Sequence, residues 1–347
     1  MKHPRTHRWF NRPDARHADR GLPPPIDVAV PPGAPADTPV IDAAVADALR
    51  GWPIVRLRLV GDLRRKTAFG RNPGPRLHGW VCGAVDRALC TCGLKCVRRS
   101  CPSHQLLGRH EVGPGSGIGD PWAPIALRAS MAMQGKGVIG ATTRIELILA
   151  GRSARDADQL VRALGNDRDG DVDWRTIQYI RASAEDEPRW RSAKKVPAED
   201  MLLPLADVAE PRARSGRLTW AFLSPTTLNR LGEVGTPHAA FPLVLDRAGR
   251  GLATWMHRTG HRGPRLPADD LLRAARSIEI AADHTRVVEL AARSVGGVSE
   301  GPDAIGSLLG NVTWKGDFAP FERLLRALHY VGMGPARAHG FGEVAFG

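Results

Sequence analysis

The sequence lacks long apolar runs and has no recognisable secretory signal. No stretch of its 347 residues approaches the roughly eighteen consecutive apolar residues that a membrane-spanning helix needs. The basic N-terminus continues into a proline-rich segment, where a signal peptide would continue into an apolar core. We therefore expect neither a membrane partner nor export.

Cysteine is scarce and confined to one place. All five cysteines lie between Cys82 and Cys101, whereas the cysteines of a secreted, disulfide-bonded domain are distributed through the fold. This pattern favours a protein of the reducing cytoplasm.

Acidic residues are scarce in one part of the chain. Between Gly51 and His110 there are twelve lysines and arginines against two acidic residues, so a net charge of +10 falls within sixty residues. Such a field favours a polyanionic partner, because Lys and Arg displace the counterions condensed on phosphates. A genome that uses arginine wherever a surface needs solubility would give a similar composition, but the clustering favours nucleic acid.

Apolar periodicity in the first half predicts the order strand, helix, two strands, helix, strand. The segments are Ile54–Leu63, a helix from about His78, Ile125–Met133, Thr142–Gly151, a helix capped by Ser153, and Arg175–Ala182. This order is that of a ferredoxin-like, split βαβ domain.

The second half repeats this order at low resolution. The segments are a strand at Arg217–Leu228, helical patterns at residues 268–278 and 284–295, a strand at Asn311–Gly316, a helix capped by Asp317 that stops at Gly332, and a strand at 341–346. We therefore predict an α+β fold of two tandem ferredoxin-like (βαββαβ) domains.

The predicted domain boundaries follow composition. Residues 1–50 are proline-rich and of mixed charge, which predicts a flexible extension. Residues 51–184 form the N-terminal domain with a cysteine-rich insertion. A charged linker spans 185–214, and the C-terminal domain spans 215–347.

The last predicted helix and strand are joined by a glycine-rich loop, VGMGPARAHGFGEV. It runs from helix to strand and has no Walker lysine, so it is neither a P-loop nor a dinucleotide fingerprint. Close backbone approach to a large ligand would explain four glycines, whereas a helix stop and a turn explain one or two. Any affinity for anions would come from loop amides, Arg337 and His339.

The segment GMGPARAHGFGEV resembles the C-terminal glycine-rich signature of the RAMP superfamily of CRISPR systems. The longer stretch from Gly310 to Phe346 resembles the end of its precursor-RNA processing endoribonucleases. Other segments resemble the family in the same order: RLHGWVCGAVDRAL, CTCGLKCVRRSCPSHQLLG, PIALRAS to TRIELILAGRSARDADQLVRAL, and LTWAFLSPTTL. The resemblance covers about residues 51–347.

The resemblance implies a tandem ferredoxin-like protein that binds a CRISPR repeat and cuts it once without a metal ion. In such enzymes the RNA's own 2′-hydroxyl attacks the adjacent phosphate, giving a 2′,3′-cyclic phosphate and a 5′-hydroxyl. The chemistry needs a base, an acid and positive charge on the transition state. The same resemblance allows such an enzyme to stay bound to the repeat-derived end as a subunit of an effector complex. The second hypothesis is a RAMP subunit of such a complex that binds RNA without cutting it. A general RNA-binding protein unrelated to CRISPR is the third hypothesis.

Histidine suits the base and the acid near neutral pH. The candidates are His104, then His78, then His110, with Lys66 as the cation that stabilises the transition state. No tyrosine lies near them in the sequence, because the chain has only Tyr179 and Tyr330. The resemblance implies RNA contacts along the basic stretch and the glycine loop, namely at Arg64, Arg65, Arg71, Arg76, Gly332, Gly334, Arg337, His339, Gly340 and Gly342.

Four cysteines form a cluster in the sequence: Cys90, Cys92, Cys96 and Cys101. Together with His104 they offer enough ligands for a tetrahedral structural zinc ion, although the spacing is not that of two CxxC knuckles. The alternative is a set of thiols on a loop. A His104 that bound zinc could not serve as the base, and His78 would take its place.

Overall fold

The computed structural model describes residues 31–69, 73–92, 100–107, 123–129, 135–182, 188–208, 216–228, 239–291, 304–334, 340 and 342–346. Within these ranges the chain forms two antiparallel sheets with helices, together with a two-stranded ribbon. No helix in the described part of the chain combines the length and hydropathy needed to cross a bilayer.

The first half contains α1 (Thr38–Leu49), β1 (Ile54–Leu63), β2 (Thr67–Phe69), α2 (Gly74–Leu89), α3 (Pro102–Leu107), β3 (Ile125–Ala129), β4 (Gly135–Gly137), β5 (Thr142–Ala150), α4 (Arg152–Arg155), α5 (Ala157–Gly165), β6 (Val172–Arg181) and β7 (Arg189–Ser192). The second half contains β8 (Arg217–Thr227), α6 (Phe241–Arg258), α7 (Ala268–Ala274), β9 (Glu279–Ala291), β10 (Ala304–Lys315), α8 (Glu322–Val331) and β11 (Val344–Phe346).

The first sheet has the strand order β3-β5-β1-β6-β7. Apart from the edge strand β7, this is the arrangement of a ferredoxin-like domain with α2 and α5 as its helices. Side chains of β1 point alternately to the two faces of the sheet. Val55, Leu57 and Leu59 lie on the face that the helices cover, buried in one core with residues of α2 and α5. Arg56 and Arg58 therefore lie on the opposite face.

The second sheet has the order β11-β8-β10-β9, which is the same arrangement. Its core is aromatic: the Phe241 ring lies 5.0 Å from that of Trp314 and 4.9 Å from that of Phe321. The same cluster includes Ile54 and Ile148 of the first sheet. The predicted tandem ferredoxin-like fold is thus confirmed, and the two domains share one core.

The helix predicted at residues 284–295 is wrong for its described residues, 284–291, because these belong to β9. Strand β9 pairs with β10 along its whole length, from Glu279 opposite Lys315 to Ala291 opposite Ala304. The β-branched residues of the segment favour a strand, and the long ladder with β10 outweighs its helical spacing.

Helix α6 was not predicted from the sequence. Its interior contains Gly249 and Gly251, which lower helix propensity, and Pro242 lies in its first turn, where proline is tolerated. Burial of one face, including Leu245 and Trp255, offsets the weak propensity.

Residues 38–49 are a packed helix, which corrects the prediction of a flexible extension over 1–50. Helix α1 buries Ile41 and Leu49 in the shared core. Its Asp42 accepts two hydrogen bonds from Arg323 of the second domain, at 2.8 and 2.7 Å. A ring nitrogen of His261 lies 2.9 Å from the Ala48 carbonyl oxygen.

The described part of the segment predicted as a linker over 185–214, residues 188–208, also packs against the domains. Strand β7 adds to the first sheet by pairing with β6. Leu203 and Leu205 are buried in the shared core, and the Leu203 N–H donates to the Ile54 carbonyl at 2.7 Å. This stretch therefore helps to join the two sheets.

Ser153 does not cap a helix as predicted. It lies inside the short helix α4, which follows Gly151, and its hydroxyl donates to the Leu106 carbonyl at 2.5 Å. Asp317 does not cap α8 either, because that helix begins after Phe321 without a side-chain cap. The Asp317 carboxylate accepts the Ala319 N–H at 3.0 Å, at the 3-10 turn that precedes α8.

Candidate nucleic-acid interface

The glycine-rich loop connects α8 to β11 and folds back on β8. The Met333 N–H donates to the Gly342 carbonyl at 2.9 Å, and the Gly342 N–H donates to the Pro225 carbonyl at 3.1 Å. The Glu343 N–H donates to the Ser224 hydroxyl at 2.8 Å. Both ends of the loop are therefore fixed to each other and to an inner strand of the second sheet.

Internal packing requires glycine at three of the four positions. Gly342 has φ 76°, and a Cβ there would lie 1.7 Å from the Met333 oxygen. Gly334 has φ 79°, with a Cβ position 2.9 Å from the Thr227 oxygen, and a Cβ at Gly332 would lie 2.7 Å from the Gly342 oxygen. The expectation that a turn explains only one or two glycines therefore underestimated the structural demand.

Five of the predicted site residues lie outside the described residues. They are Arg71, Cys96, His110, Arg337 and His339.

An acidic loop at residues 166–173 lies against the basic stretch. Arg64 pairs with the Asp173 carboxylate at 2.8 Å and donates to the Asp167 carbonyl at 2.9 Å. Arg65 lies 3.5 Å from Asp171. Counting charges along the chain did not reveal this neutralisation, because the acids come about a hundred residues after the arginines.

Lys66 and Arg76 remain exposed. Lys66 lies in the turn between β1 and β2, and Arg76 lies in the first turn of α2. That turn contains no acidic residue, so no carboxylate within it neutralises the Arg76 guanidinium. These two side chains are better placed than Arg64 to contact a phosphate.

The two described candidate histidines differ in exposure. His78 is half-buried in α2, and its Nε2 lies 3.5 Å from the Cys82 sulfur. His104 is only 8% exposed in α3. The residue before it, Ser103, donates a short hydrogen bond to Asp86 of α2, which fixes α3 against α2. His78 is therefore the more accessible of the two, whereas the sequence analysis placed His104 first.

A group of buried and half-buried ionisable residues lies where the first sheet meets α8 and the start of β11. We call it the inter-sheet cluster; its members are Arg56 and Arg58 (β1), Arg128 (β3), Glu146 (β5), His329 (α8) and Glu343, which directly precedes β11.

Glu146 is the centre of the inter-sheet cluster. It lies directly opposite Arg58 on β1 and Arg128 on β3. Its carboxylate accepts hydrogen bonds from Arg56 at 3.0 and 2.5 Å and from Arg58 at 3.3 and 3.1 Å. Burial opposes ionisation of Glu146, but the surrounding arginines, Arg56 foremost, lower its pKa.

Arg128 joins the first sheet to the end of α8. Its guanidinium donates a short hydrogen bond to the His329 carbonyl. Burial lowers the pKa of Arg128 to about 10, and the charge of Arg56 adds to this effect. Arg128 is therefore still cationic at neutral pH.

His329 is kept neutral by the inter-sheet cluster. Burial, together with the charges of Arg128 and Arg56, lowers its pKa from 6.5 to about 4. Its Nδ1 and the Arg128 Nε are buried without a hydrogen-bond partner among the described residues. Burial also raises the pKa of Glu343.

Aromatic rings line the same site. The Arg58 guanidinium lies 3.7 Å from the Trp190 ring centre, and that of Arg56 lies 5.8 Å from the Tyr330 ring centre. These are cation–π distances. The sequence analysis missed the cluster, although single charged residues within otherwise apolar strands, such as Arg128 and Glu146, are a signal of buried ion pairs.

Three of the cysteines meet in space. The sulfur atoms of Cys90, Cys92 and Cys101 all lie within 4.8 Å of one another. They connect the end of α2 to the beginning of α3.

No family model and no curated protein matches the chain. Among solved structures it is similar to a chain of the partial Cas6-RT-Cas1–Cas2 complex, with 13% identity and a TM-score of 0.52. That match covers 86% of this chain and 46% of the other.

Cas6 from Thermus thermophilus is similar with 15% identity and a TM-score of 0.47, over 86% of this chain and 99% of that one. A Cas6-related protein from Pyrococcus furiosus has 12% identity and a TM-score of 0.43, over 84% and 98%. With two ferredoxin-like domains in tandem and a TM-score of 0.52 to the chain of the Cas6-RT-Cas1–Cas2 complex, the protein has a fold similar to the matched part of that chain.

Proposed function

We propose that the protein binds CRISPR repeat RNA and cleaves the precursor transcript without a metal ion. The observation that carries this proposal is the tandem ferredoxin-like fold, shared over 86% of the chain with a chain of a Cas6-containing complex. The glycine-rich loop that follows α8 and the resemblance of its sequence to the RAMP signature support the same assignment.

The proposed reaction is an internal transfer within the RNA. A base removes the proton of the 2′-hydroxyl, and the 2′-oxygen forms a bond to the adjacent phosphorus. The bond from phosphorus to the 5′-oxygen breaks, and that oxygen takes a proton from an acid. The products are a 2′,3′-cyclic phosphate and a 5′-hydroxyl, and no external nucleophile is consumed.

His78 is the better candidate for the base. A general base must reach the 2′-hydroxyl, at about 2.6–3.2 Å between heavy atoms, and the half-buried His78 is more accessible than His104. His78 also lies in the N-terminal half of α2, near the exposed Arg76 in the sequence. Lys66 and Arg76 supply positive charge for the phosphate.

The alternative is an RNA-binding RAMP subunit of an effector complex that does not cut. One observation favours it: both tyrosines are buried, Tyr179 at 7% exposure and Tyr330 at 6%. Neither is therefore available to assist a histidine at the surface.

Binding and cleavage of the same RNA separate the two hypotheses. A labelled repeat from the array nearest the gene, and a scrambled RNA of equal length, would be incubated with the protein in EDTA. An enzyme cuts the repeat at one position and leaves the scrambled RNA intact. Tight binding of the repeat without cutting supports the alternative subunit, and binding to neither above background overturns both.

Three variants then identify the base. His78→Ala should lower the cleavage rate by at least about 100-fold, the usual contribution of a general base, without weakening RNA binding. His104→Ala should have a smaller effect, and His284→Ala on the exposed face of β9 serves as the matched control. A loss of activity in His104→Ala alone would contradict the choice of His78.

A further inference from the structure

The thiol groups at the junction of α2 and α3 form a compact cluster. Cys90 is the residue that ends α2, and Cys101 directly precedes α3. Their sulfur atoms and that of Cys92 lie within 4.8 Å of one another, and none of the described cysteines is in a disulfide. Cys101 is buried, whereas Cys90 and Cys92 are half-buried, so the cluster is accessible from one side.

These distances suit one tetrahedral metal ion. Zinc–sulfur bonds of about 2.3 Å place the sulfurs of a tetrahedral site about 3.8 Å apart, so binding would require a contraction of about 1 Å at most. In a [4Fe–4S] cluster each thiolate binds a different iron atom, and in a [2Fe–2S] cluster at most two thiolates share one iron, so three cysteines on a cluster cannot all lie this close around one metal ion. A disulfide would use two of the three sulfurs and leave one over.

A backbone amide already faces one of the sulfurs. The Cys92 N–H donates to the Cys90 sulfur at 3.5 Å. Hydrogen bonds of this kind stabilise a thiolate ligand and orient it toward a metal.

We propose that Cys90, Cys92 and Cys101 bind one zinc ion that fixes α3 to the end of α2. A structural zinc site has four ligands. The three sulfurs therefore leave one position for a further ligand. The ion would add to the Ser103–Asp86 hydrogen bond that already joins the two helices.

Zinc content tests the proposal on the protein alone, independently of RNA binding or cleavage. The reduced full-length chain would be loaded with Zn²⁺, freed of excess by gel filtration and analysed for zinc and iron by mass spectrometry. The expected result is one zinc per chain. Loading with Co²⁺ should give the visible absorption of tetrahedral cobalt thiolate.

The matched pair of variants is Cys92→Ser and Cys82→Ala. Cys82 lies on the same helix, but its sulfur contacts His78 instead of the cluster. Cys92→Ser should reduce bound zinc several-fold or more, whereas Cys82→Ala should retain it. Circular dichroism would confirm that both variants fold, and Cys90→Ser provides a second test if Cys92→Ser does not.

Four results would overturn the proposal. They are a zinc content near zero after loading, stoichiometric iron, a stable disulfide among the three cysteines in the absence of reductant that cannot be exchanged for zinc, or equal zinc loss in Cys82→Ala and Cys92→Ser.

Discussion

At the scale of single residues, the Glu146 carboxylate compensates the positive charge of the arginines in the inter-sheet cluster. One carboxylate lies among three arginines, two of which donate hydrogen bonds to it, and its side chain is 14% exposed. Removing one partner of a buried ion pair leaves uncompensated charge, which costs more than the pair itself contributes.

We therefore expect Glu146→Gln to lower the free energy of unfolding by about 3 kcal/mol. The matched control is Asp158→Asn, which removes a pair with Arg162 on the surface of α5 and should cost less than about 1 kcal/mol. Urea denaturation measures both. Equal, small losses in the two variants would show that the cluster is solvated.

His329 gives the protein a pH dependence of known sign. Its pKa is about 4 in the folded state and 6.5 as an ordinary histidine. Below pH 6.5 the unfolded chain binds a proton that the folded chain does not. Stability therefore decreases as the pH is lowered from 6.5, and this decrease ends below about pH 4, where the folded chain binds the proton as well.

At pH 4.5 we expect His329 to reduce the free energy of unfolding by about 2–3 kcal/mol relative to pH 7. The free energy of unfolding would be measured at pH 7 and at pH 4.5 in the wild type and in His329→Gln. The difference between the two pH values should be smaller in His329→Gln, because the contribution of the histidine is absent. Comparing the two proteins removes the contribution of Glu343, which is present in both. The raised pKa of Glu343 acts in the opposite direction and favours the folded state as the pH is lowered. A His329→Gln profile parallel to wild type would contradict the assignment, and His284→Gln is the exposed control.

At the scale of elements, the glycine-rich loop depends on backbone contacts that leave no space for a side chain. In Gly342→Ala, alanine must adopt a left-handed backbone conformation, which lowers the free energy of unfolding by about 1–2 kcal/mol. Its Cβ also clashes with the Met333 carbonyl, which lowers it by about 1–3 kcal/mol more. Gly260→Ala also has a positive φ, 88°, but no atom within 4 Å of the added Cβ, so it isolates the conformational part.

The expected result is a loss of about 3 kcal/mol or more in Gly342→Ala and about 1–2 kcal/mol in Gly260→Ala. Chemical denaturation would measure the two variants side by side. If they cost the same, the close approach between the two ends of the loop is absent in solution.

Sequence patterns predicted elements well where one face alone is buried. The bounds of β1 were predicted correctly because its apolar and basic residues alternate. The helix α8 was predicted because its apolar residues share one face and Asp317 precedes it. Strand β9 and helix α6 were missed, since partners far along the chain determine both: the ladder with β10 for one and the aromatic core around Trp255 for the other.

At the scale of the whole molecule, the net charge of the basic stretch overstates its free positive charge. Arg64 and Arg65 lie against the acidic loop at 166–173, whereas Lys66 and Arg76 are exposed. For a single-stranded RNA, each phosphate that the protein neutralises contributes about 0.7 to the slope of log affinity against log salt.

We expect Arg76→Ala and Lys66→Ala each to reduce that slope by about 0.7 for repeat RNA. Arg64→Ala should change it by much less, because Asp173 already neutralises that guanidinium. Filter binding at several salt concentrations measures all three. The opposite order, with Arg64→Ala giving the largest change, would show that the acidic loop moves away on binding.

The sequence predicted the tandem architecture, the cysteine cluster and the presence of basic side chains near α2. It did not predict the inter-sheet cluster, because Arg56 and Arg58 have the alternation of an exposed face. Their burial follows from the packing of the second domain on the first sheet, which no local pattern encodes. The sequence did not predict that His104 is more buried than His78 for the same reason, since burial of α3 depends on its contacts with α2 and α4.

The central claim is that the RNA's own 2′-hydroxyl is the nucleophile in cleavage of the repeat. The most direct measurement is the mass of both product ends in EDTA, beside a repeat with a 2′-deoxy substitution at the scissile nucleotide. We predict a 2′,3′-cyclic phosphate, a 5′-hydroxyl and no cutting of the substituted RNA. Products with a 5′-phosphate, or cleavage of the deoxy substrate at the same position, would contradict the claim.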